Sequence, residues 1–312
     1  MANHNIASGE KYETVADWAA YVKALGTLIE DETGTLTENK AYTWNSNSDL
    51  TFSAALLNGN TITLQVEESV RHTGASGTGA RISGSGGWTT FYYAKYLTLK
   101  YIETINTHTR CRGMNYEYAT GWHCLDSIPN DTVRSYPCTE VKHGSFLYAC
   151  KSSGGSRAIQ NALGGELWHC EGTGSRLTGI YSRRARGCKA YGNDGDDWVV
   201  QDASVQDYNA STDGTHAASN GVTFSIATDL EADGYTPKAG GALDGAGFNY
   251  GYVTEDLSGN TFADPPAIGA YAVVSTSGVE NIYFGADKPD AIYFGEDEVD
   301  AIYYGSTLVY EK

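Results

Sequence analysis

Between residues 145 and 210 one short pattern returns at a near-constant interval. Tyr148-Ala-Cys150, Trp168-His-Cys170, Arg186-Gly-Cys188 and Gln206-Asp-Tyr208 follow one another after 20, 18 and 20 residues. A second series, Ala158-Ile159, Gly179-Ile180 and Val199-Val200, recurs between them at about the same interval. Segments this short cannot bury a face of their own and must stack on their equivalents in the next period. That pattern describes a β-solenoid, with strands roughly 4.8 Å apart from coil to coil. A β-sandwich also has many short strands, but it needs no register held over successive periods. Inward positions then form ladders, so Cys150, Cys170 and Cys188 are expected as core neighbours. Extended over 41–275, the period gives about twelve coils and a rod on the order of 55 Å long.

The flanking sequence agrees with this reading. Thr61-Ile-Thr-Leu-Gln-Val66 and Tyr96-Leu-Thr-Leu-Lys-Tyr-Ile102 alternate as strands do, and the Gly-rich stretch 74–87 forbids long helices. One helix is expected, over 14–25. Val15, Trp18, Ala19, Val22 and Leu25 hold its apolar spacing, Thr14 and Asp17 form a capping pair, and Gly26 stops it. Placed ahead of a β-solenoid, it reads as a cap over the first coil. The organisation expected is an entry segment and capping helix (1–40), the solenoid (41–275) and a repeat tail (276–312).

The start of the chain has neither the basic nor the apolar stretch of a secretory signal. No apolar run approaches the length that crosses a bilayer. The six cysteines are too sparse for a disulfide scaffold, and none lie in Cys-x-x-Cys pairs, so free buried thiols from a reducing cytoplasm are expected. Against 38 acidic residues stand 21 Lys and Arg, a net charge of −17. A nucleic-acid groove or attachment to an anionic membrane is therefore not expected.

Four segments carry a family resemblance. Ala239-Gly-Gly-Ala-Leu-Asp-Gly-Ala-Gly, Asp256-Leu-Ser-Gly-Asn260 and Pro265-Pro-Ala-Ile-Gly-Ala-Tyr271 resemble the closing signature of right-handed parallel β-helix proteins of the pectate-lyase-like superfamily. Ile6-Ala-Ser-Gly-Glu-Lys-Tyr-Glu-Thr-Val-Ala-Asp-Trp18 resembles the entry segment of the same proteins, particularly those of phage virions. Ala267 stands where Asp is usual and Ala272 where Glu is usual. The resemblance, over about 1–275, implies an all-β, right-handed parallel β-helix. It also implies a place in a virion and association into a homo-oligomer, most commonly a trimer, together with other virion proteins.

Beyond Ser275 the units Val279-Glu-Asn-Ile-Tyr-Phe-Gly285, Pro289-Asp-Ala-Ile-Tyr-Phe-Gly295 and Val299-Asp-Ala-Ile-Tyr-Tyr-Gly305 repeat every ten residues. An even period keeps equivalent side chains on one face. Ile282, Phe284, Ile292, Phe294, Ile302 and Tyr304 are thus candidates for oligomerisation or attachment; a hairpin folded on the same monomer is the alternative.

Chemistry-bearing candidates are few. Asp194, Asp196 and Asp197 share a turn, where they would serve turn geometry, bind Ca²⁺, or act as an acid–base set. Ca²⁺ is the one cofactor these residue types allow; none is otherwise expected. Tyr92, Tyr93 and Tyr96 would form a saccharide-stacking platform or be buried. Arg183 and Arg184 would meet a sugar carboxylate, a neighbouring subunit's acids, or the chain's own surplus of carboxylates. Trp122-His-Cys124 and Trp168-His-Cys170 share a tripeptide. Strand alternation puts Trp and Cys together on the core side and His123 and His169 in solvent. The expected function is a non-enzymatic phage virion structural protein, a fibre, spike or capsid decoration, with glycan binding left open. The alternative is a tailspike-type depolymerase, a lyase or glycoside hydrolase.

Overall fold

The computed structural model describes residues 1–43, 50–84, 92–106, 114–128, 137–161, 163–201, 205–216 and 220–273, and in the tail 293–294, 297–298, 301–304 and 307–311. It divides into two units, Met1–Val274 and Ser275–Lys312. The first is a right-handed parallel β-helix. Sheet A has nine strands, from Ala2–Ile6 to Gln206–Asp207; sheet B has nine, from Ala41–Thr43 to Val222–Thr223; sheet C has six, from Tyr92–Lys95 to Asp196–Val200. Their strands pair in parallel.

Among the described residues, nine rungs replace the expected twelve. Thirty residues separate Ala2 from its partner Glu32, and thirty more separate Glu32 from Ile62. Thirty-five separate Thr63 from Thr98. The period shortens to 20 only at Phe146–Glu166, so extrapolating from the regular centre overcounts. Residues 224–273 also leave the ladder.

The helix Val15–Ala24 carries the expected capping box, with Asp17 N–H donating to Thr14 Oγ1 at 3.1 Å. Its Trp18 is fully buried over the first coils. A Cβ at Gly34 would lie 2.7 Å from the Trp18 ring, so glycine is required there for the helix to seat.

At the corner between sheets A and B, in six successive rungs, the chain turns through one residue in the left-handed region. Tyr101, His123, Ala149, His169, Gly187 and Tyr208 occupy it, with φ of 58°, 52°, 47°, 50°, 65° and 49°. Such a residue breaks strand alternation. Cys124, Cys150, Cys170 and Cys188, each just after the bend, point inward as a buried ladder of free thiols. Trp122 stacks instead with Tyr148 on the outer face of sheet A. The expectation of Trp beside Cys in the core is therefore overturned. The histidines are not in solvent either: His123 is 6% exposed and His169 2%.

What buries them is a strap, residues 224–273, that runs back along the corner. Gly269 N–H donates to Gly187 O at 2.8 Å, and Phe262 packs on His169 at 4.9 Å. Ser258 Oγ donates to Thr73 O at 3.0 Å, and Tyr271 OH to Gly74 O at 2.7 Å. Asp256, in the segment that resembles a family closing signature, accepts from the backbone N–H groups of Ser258, Asn260 and Ala272.

The strap also covers a charged ladder. Arg81, Glu103, Leu125, Lys151, Glu171 and Lys189 stand in register along sheet B. Glu171 and Lys189 are fully buried, and Glu171 is 3.0 Å from both Lys189 Nζ and Lys151 Nζ. Burial alone would raise the Glu171 carboxyl, but the two ammonium groups hold it below its ordinary value. Tyr191 OH donates to Glu171, and Lys189 Nζ donates to Tyr235 O of the strap. With these partners the ions tolerate a dry site.

Burial lowers His72, His123 and His169 to about 4. In the unfolded chain they titrate near ~6.5. Between those values the unfolded state binds three protons that the fold excludes, so acidification favours unfolding. Asp126, raised by burial to about 6, and Glu103, also raised, oppose this between the ordinary carboxylate range and their folded values. Three histidines outweigh them. Stability should fall by roughly 3 kcal/mol from pH 7 to pH 5, read from urea unfolding at the two values. Equal midpoints would contradict buried, neutral histidines.

Candidate functional site

Sheet A faces its leucines inward: Leu64, Leu99, Leu147 and Leu167 are buried. Alternation sends the residues on either side of them outward. One outward column reads Lys100, Trp122, Tyr148, Trp168 and Arg186 in register. A second reads Thr98, Thr120, Phe146 and Glu166.

The Trp122 and Tyr148 rings stack with centroids 4.0 Å apart and planes 14° apart, and Phe146 extends the stack. All three are half-buried. The Arg186 guanidinium lies 4.7 Å from the Trp168 ring centre. From the strap, Tyr250 and Tyr252 meet Trp168 at 5.0 and 5.1 Å, and Tyr252 remains 60% exposed.

The other edge of sheet A carries a second aromatic pair. Tyr96 and Tyr118, both in left-handed conformation, stack at 5.2 Å and 5°. With Leu57, Thr61, Thr98 and Thr120 they line a cleft of about 140 Å³. The face between the two pairs is floored by threonine hydroxyls and edged by Lys100, Arg184, Arg186 and Glu166. Arg184 pairs with Glu166 at 3.2 Å and Arg186 pairs with it at 3.5 Å. Each stacked ring turns one face to its partner, so the arrangement offers ring edges and outer faces to an apolar surface, with hydrogen-bonding groups beside them.

The expected tyrosine platform is thus divided. Tyr96 lines the cleft. Tyr93 lies on the outer side of sheet C, 5.6 Å from Lys142 Nζ. The backbone of Tyr92 starts the strand Tyr92–Lys95, and its side chain lies outside the described residues. Arg184 reaches the sheet A face through Glu166, while Arg183 is exposed beside it.

The three aspartates do not converge. Asp197 is 2% exposed and accepts from Asn193 Nδ2 and Thr212 N–H, both at 2.8 Å, and from the Thr212 hydroxyl. Its own N–H donates to Asp213 at 2.8 Å. Asp194 and Asp196 are exposed. Among the described residues, no three His, Cys, Asp or Glu side chains are grouped to hold a metal ion. Asp197 clamps the turn to the following rung.

In the tail, Phe294 lies in Tyr293–Phe294, paired antiparallel with Asp297–Glu298. Ile302 and Tyr304 lie in Ala301–Tyr304, paired antiparallel with Thr307–Glu311. Ile282, Phe284 and Ile292, like Cys111, lie outside the described residues.

Comparison with protein-family models, curated proteins and solved structures found no match.

Removing a buried carboxylate that holds several donors leaves those donors unsatisfied. Asp197→Ala should lower unfolding stability by about 2–3 kcal/mol, and Asp196→Ala by less than about 0.5 kcal/mol. Thermal or urea unfolding of the two variants measures this. Equal losses would contradict the clamp.

Proposed function

We propose that this chain is a non-enzymatic, carbohydrate-binding β-helix that serves as a phage virion appendage. The carrying observation is the stacked, half-exposed Trp122–Tyr148 pair on the outer face of sheet A. A sugar ring has an apolar C–H face and a rim of hydroxyls. The edges and outer faces of the aromatic rings take the first, and the flanking threonines, Glu166 and arginines take the second. Three cationic side chains, Lys100, Arg184 and Arg186, against two carboxylates, Glu166 and Asp207, leave a small positive excess that suits a glycan bearing acidic substituents.

The virion assignment rests on the resemblance of the entry and closing segments. Association into a homo-oligomer, a trimer in this reading, gains support from the tail. Its described strands form two two-stranded antiparallel hairpins, units that are marginal without another surface to pack on. The absence of enzymatic activity is part of the proposal and is tested with it.

The experiment is a glycan array of bacterial surface polysaccharides, probed with the wild type and with Trp122→Ala/Tyr148→Ala. Binding should weaken tenfold or more, about 1.4 kcal/mol or greater. The unfolding midpoint should change little, because these rings lie outside the core. A wild type that binds nothing, or a double variant that binds equally, would contradict the proposal. Release of reducing or unsaturated sugar ends would establish a depolymerase instead.

A further inference from the structure

A second pocket opens at the corner where sheet A turns into sheet B, toward the start of the solenoid. It encloses about 380 Å³, and Glu68, Arg71, Thr73, Tyr101, Glu255 and Ser258 line it. Glu68 begins the short 3-10 segment Glu68–Val70, and Tyr101 is the left-handed bend that follows Lys100. Glu255 and Ser258 come from the strap, so the pocket is complete only when the strap is docked.

The Arg71 guanidinium lies 3.8 Å from the Tyr101 ring centre. Tyr101 itself stacks on buried His123 at 4.7 Å and 8°. The ring is further fixed by its hydroxyl, which donates to Glu255 Oε2 at 3.2 Å. Arg71 is thereby held against a rigid support, and its fork of N–H donors loses little freedom on meeting a ligand. His72, behind it, is already engaged: its Nε2 lies 2.8 Å from His123 O, and its Nδ1 accepts from Gly74 N–H.

The charges select the guest. Two exposed carboxylates, Glu68 and Glu255, against one guanidinium leave the pocket with a net negative charge, which disfavours phosphate, sulfate or a uronate. Walls of charged and hydroxyl groups disfavour an apolar guest. A neutral polyol satisfies both sets, because each hydroxyl donates to a carboxylate while accepting from the guanidinium. The volume lies within the range of small-molecule sites.

We infer that this pocket is a second saccharide subsite that takes one neutral sugar ring, with Arg71 donating to, and Glu68 and Glu255 accepting from, adjacent hydroxyls. It shares no residue with the sheet A face and stands or falls separately from it.

The test is saturation-transfer NMR on the full chain carrying Trp122→Ala/Tyr148→Ala, which silences the sheet A face. The probes are methyl α-D-glucopyranoside, methyl α-D-galactopyranoside and methyl α-D-mannopyranoside, with sodium glucuronate as the anionic control. At least one neutral glycoside should bind, and glucuronate should bind at least tenfold more weakly. Adding Arg71→Ala should abolish the signal. Adding Glu68→Ala, an exposed position with no packing role, should weaken binding at least fivefold with an unchanged melting curve, so the result does not depend on how Arg71→Ala folds. No transfer to any of the three glycosides would overturn the inference. So would glucuronate binding equally well, or Glu68→Ala having no effect. Binding by this variant when the wild type fails on the glycan array would retain the pocket and discard the face.

Discussion

The left-handed bend between sheets A and B is the constraint on which the rest depends. One residue in each of six successive rungs adopts it, and that residue resets the inside–outside alternation of the strand. Because of it, the cysteine after the bend enters the core while the residue before it faces out. The same bend turns Lys100, Trp122, Tyr148, Trp168 and Arg186 to the outer side of sheet A in register, where the strap covers Trp168. It also creates a continuous edge along which the strap can lie. A non-glycine residue in this region carries a backbone penalty of order 1–3 kcal/mol. Stacking down the column and cover by the strap offset it, as with His169 between Gly187 and Phe262.

Much of this was legible in the sequence where the signal was local. Cys150, Cys170 and Cys188 announced a ladder because their spacing is nearly constant, and Thr14 with Asp17 announced a cap because both partners lie within one turn. The coil count was not legible, because the early rungs carry longer connections. The outward turn of Trp122 and Trp168 was not legible either. The Trp-His-Cys tripeptide reads as plain alternation unless the central residue is known to be left-handed, and histidine tolerates that region without glycine's tell-tale presence. The aromatic two places before Cys124, Cys150 and Cys170 was the available clue to the binding face. The strap's docking joins residues such as Tyr271 and Gly74, 197 positions apart, which no periodicity reports.

Of the candidate site residues, Tyr96 and Arg184 reach the sheet A face, while Asp197 serves the turn. Composition left the aspartates open between turn geometry, a metal and acid–base work. A cluster of Asp in a Gly-rich turn has the same residue types whether it holds a metal or the next rung. The difference lies in Asn193, Thr212 and Asp213, which arrive from the turn itself and from the following rung. The two pockets differ in the same non-local way. One is floored by strands of the solenoid, and the other is closed by Glu255 and Ser258 of the returning strap.

The most direct measurement is hydroxyl-radical footprinting of the full chain, read residue by residue by mass spectrometry. A left-handed corner predicts that Trp122 and Tyr148 are modified readily, while Trp18 and Trp198, both buried, are protected. Protection of Trp122 and Tyr148 to the level of Trp18 would place them in the core, and would contradict both the corner geometry and the outward aromatic face built on it.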